Sequence, residues 1–320
     1  MEKITVGVDL GGTKIKAALV GPDGTIVFST RKMTNASKGA DSVISTIGDA
    51  VHECLRQGTA TAIGIGVAGQ IDAESGNVVF APNLGWRDLP LRSELQRRLG
   101  LPVLVINDVR ASTFGEWTYG AAPQTEHLVC LFVGTGIGGG AVMRGQIVEG
   151  CNNSAAELGH ITIVAEGRKC RCPNLGCLEA YAGGWAIAER TQELIRQNVD
   201  RGRKVLEIAG SLEAVTAKSV SAALSEGDPL ARQIVEETSK YLAAGIVTII
   251  NSLNPCVLIL GGGIIRGIPE LLSLAEPQIR RRALTTATNT LKIVRSSLDA
   301  DAGCIGAAVL ARNTVLDEGR

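Results

Sequence analysis

The chain has no excess of either charge, because 32 basic residues meet 32 acidic ones among its 320. That balance leaves no electrostatic footprint for nucleic acid or for an anionic membrane surface, and neither is expected as a partner. Long apolar runs are missing too. The longest, such as LAAGIVTIINSL after Tyr241, stop well short of the roughly 20 residues that cross a bilayer. The opening MEKITVGVDLGG has neither the apolar core nor the small-residue cleavage site of a signal peptide. A cytoplasmic location is therefore expected. No G-x-x-x-x-G-K-[ST] spacing occurs, so no P-loop is present. Histidine is scarce, with only His52, His127 and His160 available as metal ligands or titrating groups.

What is present is the composition of a soluble globular chain, 45% hydrophobic and 20% charged, and long enough for two domains around a shared cleft. Residues 4–30 read as three short strands, ITVGVD, IKAALV and TIVFST, joined by the glycine-rich turns LGGTK and GPDG. Residues 41–57 carry apolar positions at helical spacing (Val43, Ile44, Ile47, Val51, Leu55). AIGIGVAG and VLVIND then read as buried strands on either side of a helix near 89–99. The second half repeats the scheme: HLVCLFV, a glycine-rich turn GTGIGGG at 134–140, and the strand AVMRGQIV. Setting DLGGTKIKAAL (9–19) against FVGTGIGGGAV (132–142) suggests an internal duplication. Further helices are expected near 184–198, 229–252, 269–281 and from about 303, with strands at 256–260 and 291–295. Strands alternating with helices after a meander imply mixed α/β sheets.

Three glycine-rich turns, DLGGTK (9–14), GTGIGGG (134–140) and LGGGI (260–264), each follow a buried strand. Glycine lets backbone N–H groups converge on an anion without Cβ atoms in the way, so the three could clamp a nucleotide. Each could equally be a tight hairpin. Asp9 at the end of the first strand, with Gly11, Gly12 and Thr13 after it, suits a Mg2+ anchor acting through water; the alternative is a turn-capping carboxylate.

Five of the eight cysteines are scattered in apolar segments and read as small buried hydrophobes. Cys170, Cys172 and Cys177 instead form a C-x-C-x4-C run to which one more ligand would complete a tetrahedral Zn2+ site. His160 is the candidate, since His52 sits in a helical pattern and His127 opens a strand. A closed Cys3His site has no open position, so the zinc would be structural, would fix the His160 ring by one nitrogen, and would hold Glu179 nearby.

The motifs DLGGTK, NLGW (83–86), ND (107–108), GTGIGGG, ELGH (157–160), CRCPNLGCLE (170–179) and LGGG (260–263) occur in an order that resembles the ROK family of sugar kinases and repressors, across nearly the whole chain. The resemblance implies a duplicated actin-like ATPase (ribonuclease H-like) α/β fold with two domains flanking a central cleft. The expected boundaries put 1–120 with 303–320 in a smaller domain, and 121–302 in a larger one with the zinc site and adenosine loop. It implies ATP as phosphoryl donor with Mg2+, and a homodimer or homotetramer. It assigns the sugar to Asn83, Asn107, Asp108, Glu157, His160 and Glu179, with Asp108 as catalytic base. Phosphates would lie against Gly11, Gly12, Thr13, Lys14, Thr135, Gly136, Gly138 and Gly139, the adenosine near Gly261 and Gly262, and zinc on His160, Cys170, Cys172 and Cys177.

Phosphoryl transfer needs positioning, charge neutralisation and a carboxylate within reach of the attacking hydroxyl, and Asp108 ends the apolar strand VLVIN as that role requires. Hexose hydroxyls both donate and accept, which Asn and Glu side chains match. Taken singly, Asn83 could be a turn residue and Asn107 a helix cap. Repressors of the family carry a helix-turn-helix domain ahead of the sugar domain, whereas Asp9 lies almost at the start of this chain, so a kinase is expected. Keeping the glutamate of ELGH together with Glu179 suits glucose, and NLGW also looks like the glucokinases; fructose, allose, N-acetylglucosamine and N-acetylmannosamine remain alternatives, as does a non-enzymatic sugar sensor. Two departures from the family pattern stand out, Ala68 where proline is common and Pro173 where glycine is common.

Overall fold

The protein is described by a computed structural model covering residues 4–317, with side chains described through residue 314. Contacts divide the chain into two compact units, the first covering Met1–Leu128, Gly140–Ala156 and Ser296–Arg320 and the second Val129–Gly139 and Glu157–Arg295. Residues 121–128, 140–156 and 296–302, which the expected boundaries put in the larger domain, fall in the first unit by this division. No helix among the described residues is long and apolar enough to cross a membrane.

The first unit is built on a meander of β1 (Thr5–Leu10), β2 (Lys14–Val20) and β3 (Ile26–Met33), antiparallel as the alternating sequence predicts. After helix α1 (Ala40–Leu55) come β4 (Ile63–Val67), the short strands β5 (Gln70–Ile71), β6 (Val78–Ala81) and β7 (Trp86–Leu89), then α2 (Leu91–Leu99), β8 (Val103–Asn107) and α3 (Asp108–Tyr119). The main sheet runs β3-β2-β1-β4-β8, with β1, β4 and β8 parallel, and β5-β6-β7 make a small sheet of their own. Alternation assigns the faces. Val6, Val8, Leu10, Ile15 and Leu19 join Val43, Ile47 and Val51 of α1 in one core. Ala18 and Val20 point the other way, onto Cys304 and Ala308 of the C-terminal helix, Ala302–Asp317. That helix lies directly on the sheet, because a Cβ on Gly7 or Gly64 would collide with the carbonyls of Cys304 or Ala307. On α3 the carboxylate of Glu116 is fully buried yet satisfied: it accepts from Ser296 Oγ at 2.5 Å, Leu298 N at 2.8 Å and Ala121 N at 2.9 Å, anchoring the chain that leads into the last helix.

The next strands are β9 (His127–Val133), β10 (Ile137–Met143) and β11 (Gln146–Ile147). The helices α4 (Glu179–Ala182), α5 (Gly184–Gln197), α6 (Arg203–Ala209), α7 (Ala217–Ser225) and α8 (Pro229–Leu253) follow. Then come β12 (Val257–Gly261), α9 (Gly263–Gly267), α10 (Glu270–Arg282), α11 (Thr285–Thr288), β13 (Lys292–Arg295) and, as α12, the C-terminal helix Ala302–Asp317. The second sheet runs β11-β10-β9-β12-β13. Both sheets therefore place their first three strands in reverse order at one side and add two later strands at the other, a shared topology that fits the expected duplication. The turn expected over 134–140 is only Gly134–Gly136, because Ile137–Gly140 already pair within β10.

The stretch 150–156 of the first unit is strained. Gly150, Asn153 and Ala156 have φ of 77°, 60° and 64°, so every third residue is left-handed just before Glu157. Glycine and asparagine tolerate this, but an alanine there carries roughly 1–2 kcal/mol of strain. Glycine at 156 returns roughly 0.4–1 kcal/mol through unfolded-chain entropy. Ala156→Gly is therefore expected to stabilise the protein by about 0.5 kcal/mol net, read as a higher urea midpoint at unchanged slope. A lower midpoint would show that the methyl packs usefully.

Candidate functional site

In the first unit the β1–β2 turn is held from below. Gly11 N donates to Lys14 O at 3.1 Å, Thr34 Oγ1 donates to Gly11 O at 2.7 Å, and Thr34 N donates to Thr13 O at 2.9 Å. Gly12 lies against Asn83, whose Cβ is 3.0 Å from where a glycine-12 Cβ would stand, so two of the expected site residues meet here. Thr13, Lys14 and Asn83 are exposed. Asp9 sits one residue before the end of β1, on the face covered by α12, where its Cγ is 3.1 Å from a Cβ built on Gly303. Burial pushes its carboxyl up, and Lys16, its cross-strand partner, opposes that. Lys16 is itself nearly buried, donates to Ala300 O at 3.3 Å and pairs with Asp301. The sequence reading missed Lys16 and Asp301; the strand period, which puts Lys16 beside Asp9, was the available signal.

Asp108 opens α3 directly after β8, in the first turn, where the helix dipole favours a carboxylate. Asn107 is the helix cap: its Oδ1 accepts from Arg110 N at 3.0 Å while its Nδ2 donates to Gly69 O at 3.2 Å. Arg110, buried in that same turn, bonds the side chain of Asn153 and donates to its carbonyl at 3.0 Å, and Asn153 Nδ2 donates to Ile71 O at 2.9 Å.

In the second unit three glycine turns converge. Gly134–Gly136 closes on itself through Gly134 N to Gly136 O at 2.9 Å. Gly184 N and Trp185 N, at the start of α5, donate to the carbonyls of Gly134 and Thr135 at 2.9 Å and 3.0 Å. Gly262, with φ of 94°, packs so tightly on Val133 that a Cβ would strike its backbone. Gly261 is the last residue of β12. The pair Gly183–Gly184, signalled by AGGW ahead of a helical pattern, was not singled out in the sequence. Gly138 and Gly139 are strand residues, and Gly139 lets Leu158 pack against β10. The single-turn helix Leu158–His160 docks there, with Glu157 exposed just ahead of it. Glu179 is buried, and its Oε2 accepts from Ile137 N at 2.7 Å and its Oε1 from Trp185 Nε1 at 3.1 Å.

The four expected metal ligands come together. The ligating atoms of His160, Cys170, Cys172 and Cys177 all lie within 4.8 Å of one another. Cys172 Sγ is 3.7 Å from Cys177 Sγ, and Cys170 Sγ is 3.7 Å from His160 Nδ1. A tetrahedron with metal–sulfur bonds of about 2.3 Å has edges of about 3.8 Å, so the donors fit a zinc-sized ion. Burial pushes the Cys177 thiol up to about 12 and raises that of Cys170, so a cation beside these two would favour their thiolate forms. The hairpin is closed by Cys170 N to Asn174 O at 3.1 Å and Gly176 N to Arg168 O at 2.8 Å, with Pro173 at its tip.

A glucokinase from Thermotoga maritima is 35% identical over 311 residues, which cover 97% of this chain and 98% of that enzyme. The structure of a ROK family glucokinase from Streptomyces griseus, in complex with glucose and AMPPNP, superposes with a TM-score of 0.87 at 33% identity, covering 97% of this chain and 99% of that one. A xylose repressor from Caldicellulosiruptor bescii is 29% identical, covering 95% of this chain and 77% of its own. The fold is accordingly the actin-like ATPase fold expected from the motifs. Residues 5–314 match the ROK family, and the chain belongs to that family.

Proposed function

We propose that the protein is an ATP-dependent hexokinase that phosphorylates the 6-hydroxyl of glucose, with Asp108 as general base. The observation that carries this reading is a pair of carboxylates at the carboxyl ends of parallel strands in one sheet: Asp9 near the end of β1 and Asp108 directly after β8, with β4 between them. Ligands of open α/β sheets gather at that end of the strands. Two strand spacings put the ends of β1 and β8 about 10 Å apart, a span that suits a phosphoryl group between a metal anchor and a base.

In the proposed reaction Asn83, Asn107, Glu157, His160 and Glu179 orient the hexose. Asp108 takes the hydroxyl proton as that oxygen bonds to the γ-phosphorus and the bond to the ADP oxygen breaks. Gly11, Gly12, Thr13 and Lys14, with Thr135, Gly136, Gly138 and Gly139, receive phosphates, and Gly261 and Gly262 the adenosine. Mg2+ held through water by Asp9 would neutralise phosphate charge. Zn2+ on His160, Cys170, Cys172 and Cys177 would be structural; bound through Nδ1, it would leave His160 Nε2 for a sugar hydroxyl.

The glucokinases from Thermotoga maritima and Streptomyces griseus support glucose as the substrate, the latter being bound to glucose and an ATP analogue. The xylose repressor keeps a second reading open, a sugar sensor without catalysis. A panel of hexoses assayed with ATP and Mg2+ separates the two: glucose should be phosphorylated fastest, whereas a sugar that binds without turnover on any hexose would favour the sensor.

A further inference from the structure

A carboxylate directly beneath a phosphate loop is unexpected, because it should repel the ligand. Glu179 occupies that position: a Cβ on Gly136 would overlap its Oε2, and the residue is only 9% exposed. Its charge is turned inward. Oε2 takes the Ile137 N–H at 2.7 Å and Oε1 takes the Trp185 indole N–H at 3.1 Å, both charge-assisted. Trp185 contributes twice, since its backbone N–H also holds the Thr135 carbonyl at 3.0 Å. With the carbonyls of Gly134 and Thr135 and the amide of Ile137 all engaged by residues 179–185, the loop has one backbone orientation. The N–H groups of Thr135 and Gly136 make no hydrogen bond among the described residues, so they stay available to an anion. The same segment starts two residues after Cys177, and Arg171, inside the cysteine run, lies 4.5 Å over the Trp185 ring.

We propose that Glu179 and Trp185 form a latch that sets the Gly134–Gly136 loop for nucleotide phosphates before any sugar arrives, making both positioning residues for nucleotide binding. This rests on the reading of that loop as a phosphate site, and it gives Glu179 a task separate from contact with a hexose.

The test is AMPPNP affinity by calorimetry in the absence of hexose, for the full chain and for Glu179→Gln and Trp185→Phe. Glutamine keeps the shape but can accept at only one atom and turns an N–H toward the loop; it should weaken AMPPNP roughly tenfold. Phenylalanine keeps the ring and loses only the indole donor; it should weaken AMPPNP about threefold while leaving hexose affinity unchanged. The double variant should lose less than the product of the two single effects, because both bonds belong to one side chain and one network. In steady state the KM for ATP should rise more than kcat falls. Unchanged AMPPNP affinity in both single variants would overturn the latch and leave Glu179 with a sugar contact alone. If Glu179→Gln does not fold, Trp185→Phe decides by itself. An unmodified protein that phosphorylates a hexose yet shows no change in the variants sinks the latch only; one that binds no AMPPNP at all sinks the phosphate-site reading and the latch with it.

Discussion

Asp108→Asn is expected to lower kcat for hexose phosphorylation roughly 10^3-fold, within the range a positioned general base supplies. Asparagine has nearly the same volume and still hydrogen-bonds a hydroxyl, but it cannot take a proton at neutral pH. The helix start should survive the change, because the cap is Asn107, whose Oδ1 holds Arg110 N independently of residue 108. Losing a carboxylate from the first turn costs about 0.3–1 kcal/mol of dipole interaction, too little to unfold the chain. The expected signature is thus a collapsed kcat beside a hexose Kd changed only a few-fold and an unaltered circular dichroism spectrum. Near-normal turnover would remove Asp108 from the chemistry. Asn107→Ala should behave differently: it loses the cap and the bond to Gly69 O together, so stability falls along with activity.

Where an element buries one stripe or one face, the sequence revealed it. The apolar spacing of Val43, Ile44, Ile47 and Val51 predicts α1, the short strands and glycine-rich turns predict the β1–β3 meander, and short apolar runs predict the buried strands β4, β8 and β12. Helix α3 escaped because it is buried on several sides and uses polar groups to do so. Arg110, Thr113 and Glu116 are all buried, satisfied by Asn153, Val109 O and Ser296, partners 43, 4 and 180 positions away. No hydrophobic period marks such a helix. The strands β5, β6 and β7 are two to four residues long, and their pairing depends on neighbours more than on their own pattern. The three-glycine run at 138–140 reads as a turn by propensity, yet it pairs in β10, where the absent side chains let Leu158 and Thr113 approach.

The candidate site was legible as residue types and spacing, and much less so as bonds. The cysteine run named its own partners, because C-x-C-x4-C leaves few ways to satisfy a tetrahedral ion and histidine is scarce. Glu179 illustrates the opposite case. Its bonds to Ile137 and Trp185 join residues 42 and 6 positions away, and nothing in the local sequence distinguishes a carboxylate that meets a sugar from one that holds a loop. Lys16 is similar: its place beside Asp9 follows from strand register, but its pairing with Asp301 comes from a helical turn 285 positions later.

Purified protein should contain one zinc per chain, and removing it should cost the second unit far more stability than any single side chain does. The stretch between the turn Leu158–His160 and α4 has no helix or continuous strand; it is stitched by the isolated bridges Thr162–Cys177 and Lys169–Leu175. Its apolar support is small, with Cys170, Cys177, Ala180, Tyr181, Trp185 and Ala186 forming the cluster it packs on. A core of that size is small against the conformational entropy of the 18 residues 161–178, roughly 1–2 kcal/mol each, so a metal cross-link is expected to supply much of the difference. Cys177→Ser should lose the metal, lower the unfolding temperature by several degrees, and weaken hexose binding because His160 and Glu179 lose their common anchor. Cys151→Ser and Cys256→Ser, exposed and outside the cluster, should retain full metal content. Zinc analysis with thermal unfolding before and after strong chelation measures each effect. Metal-free protein with unchanged melting and unchanged hexose affinity would mean that the hairpin is held by Gly176 N to Arg168 O and its companions alone.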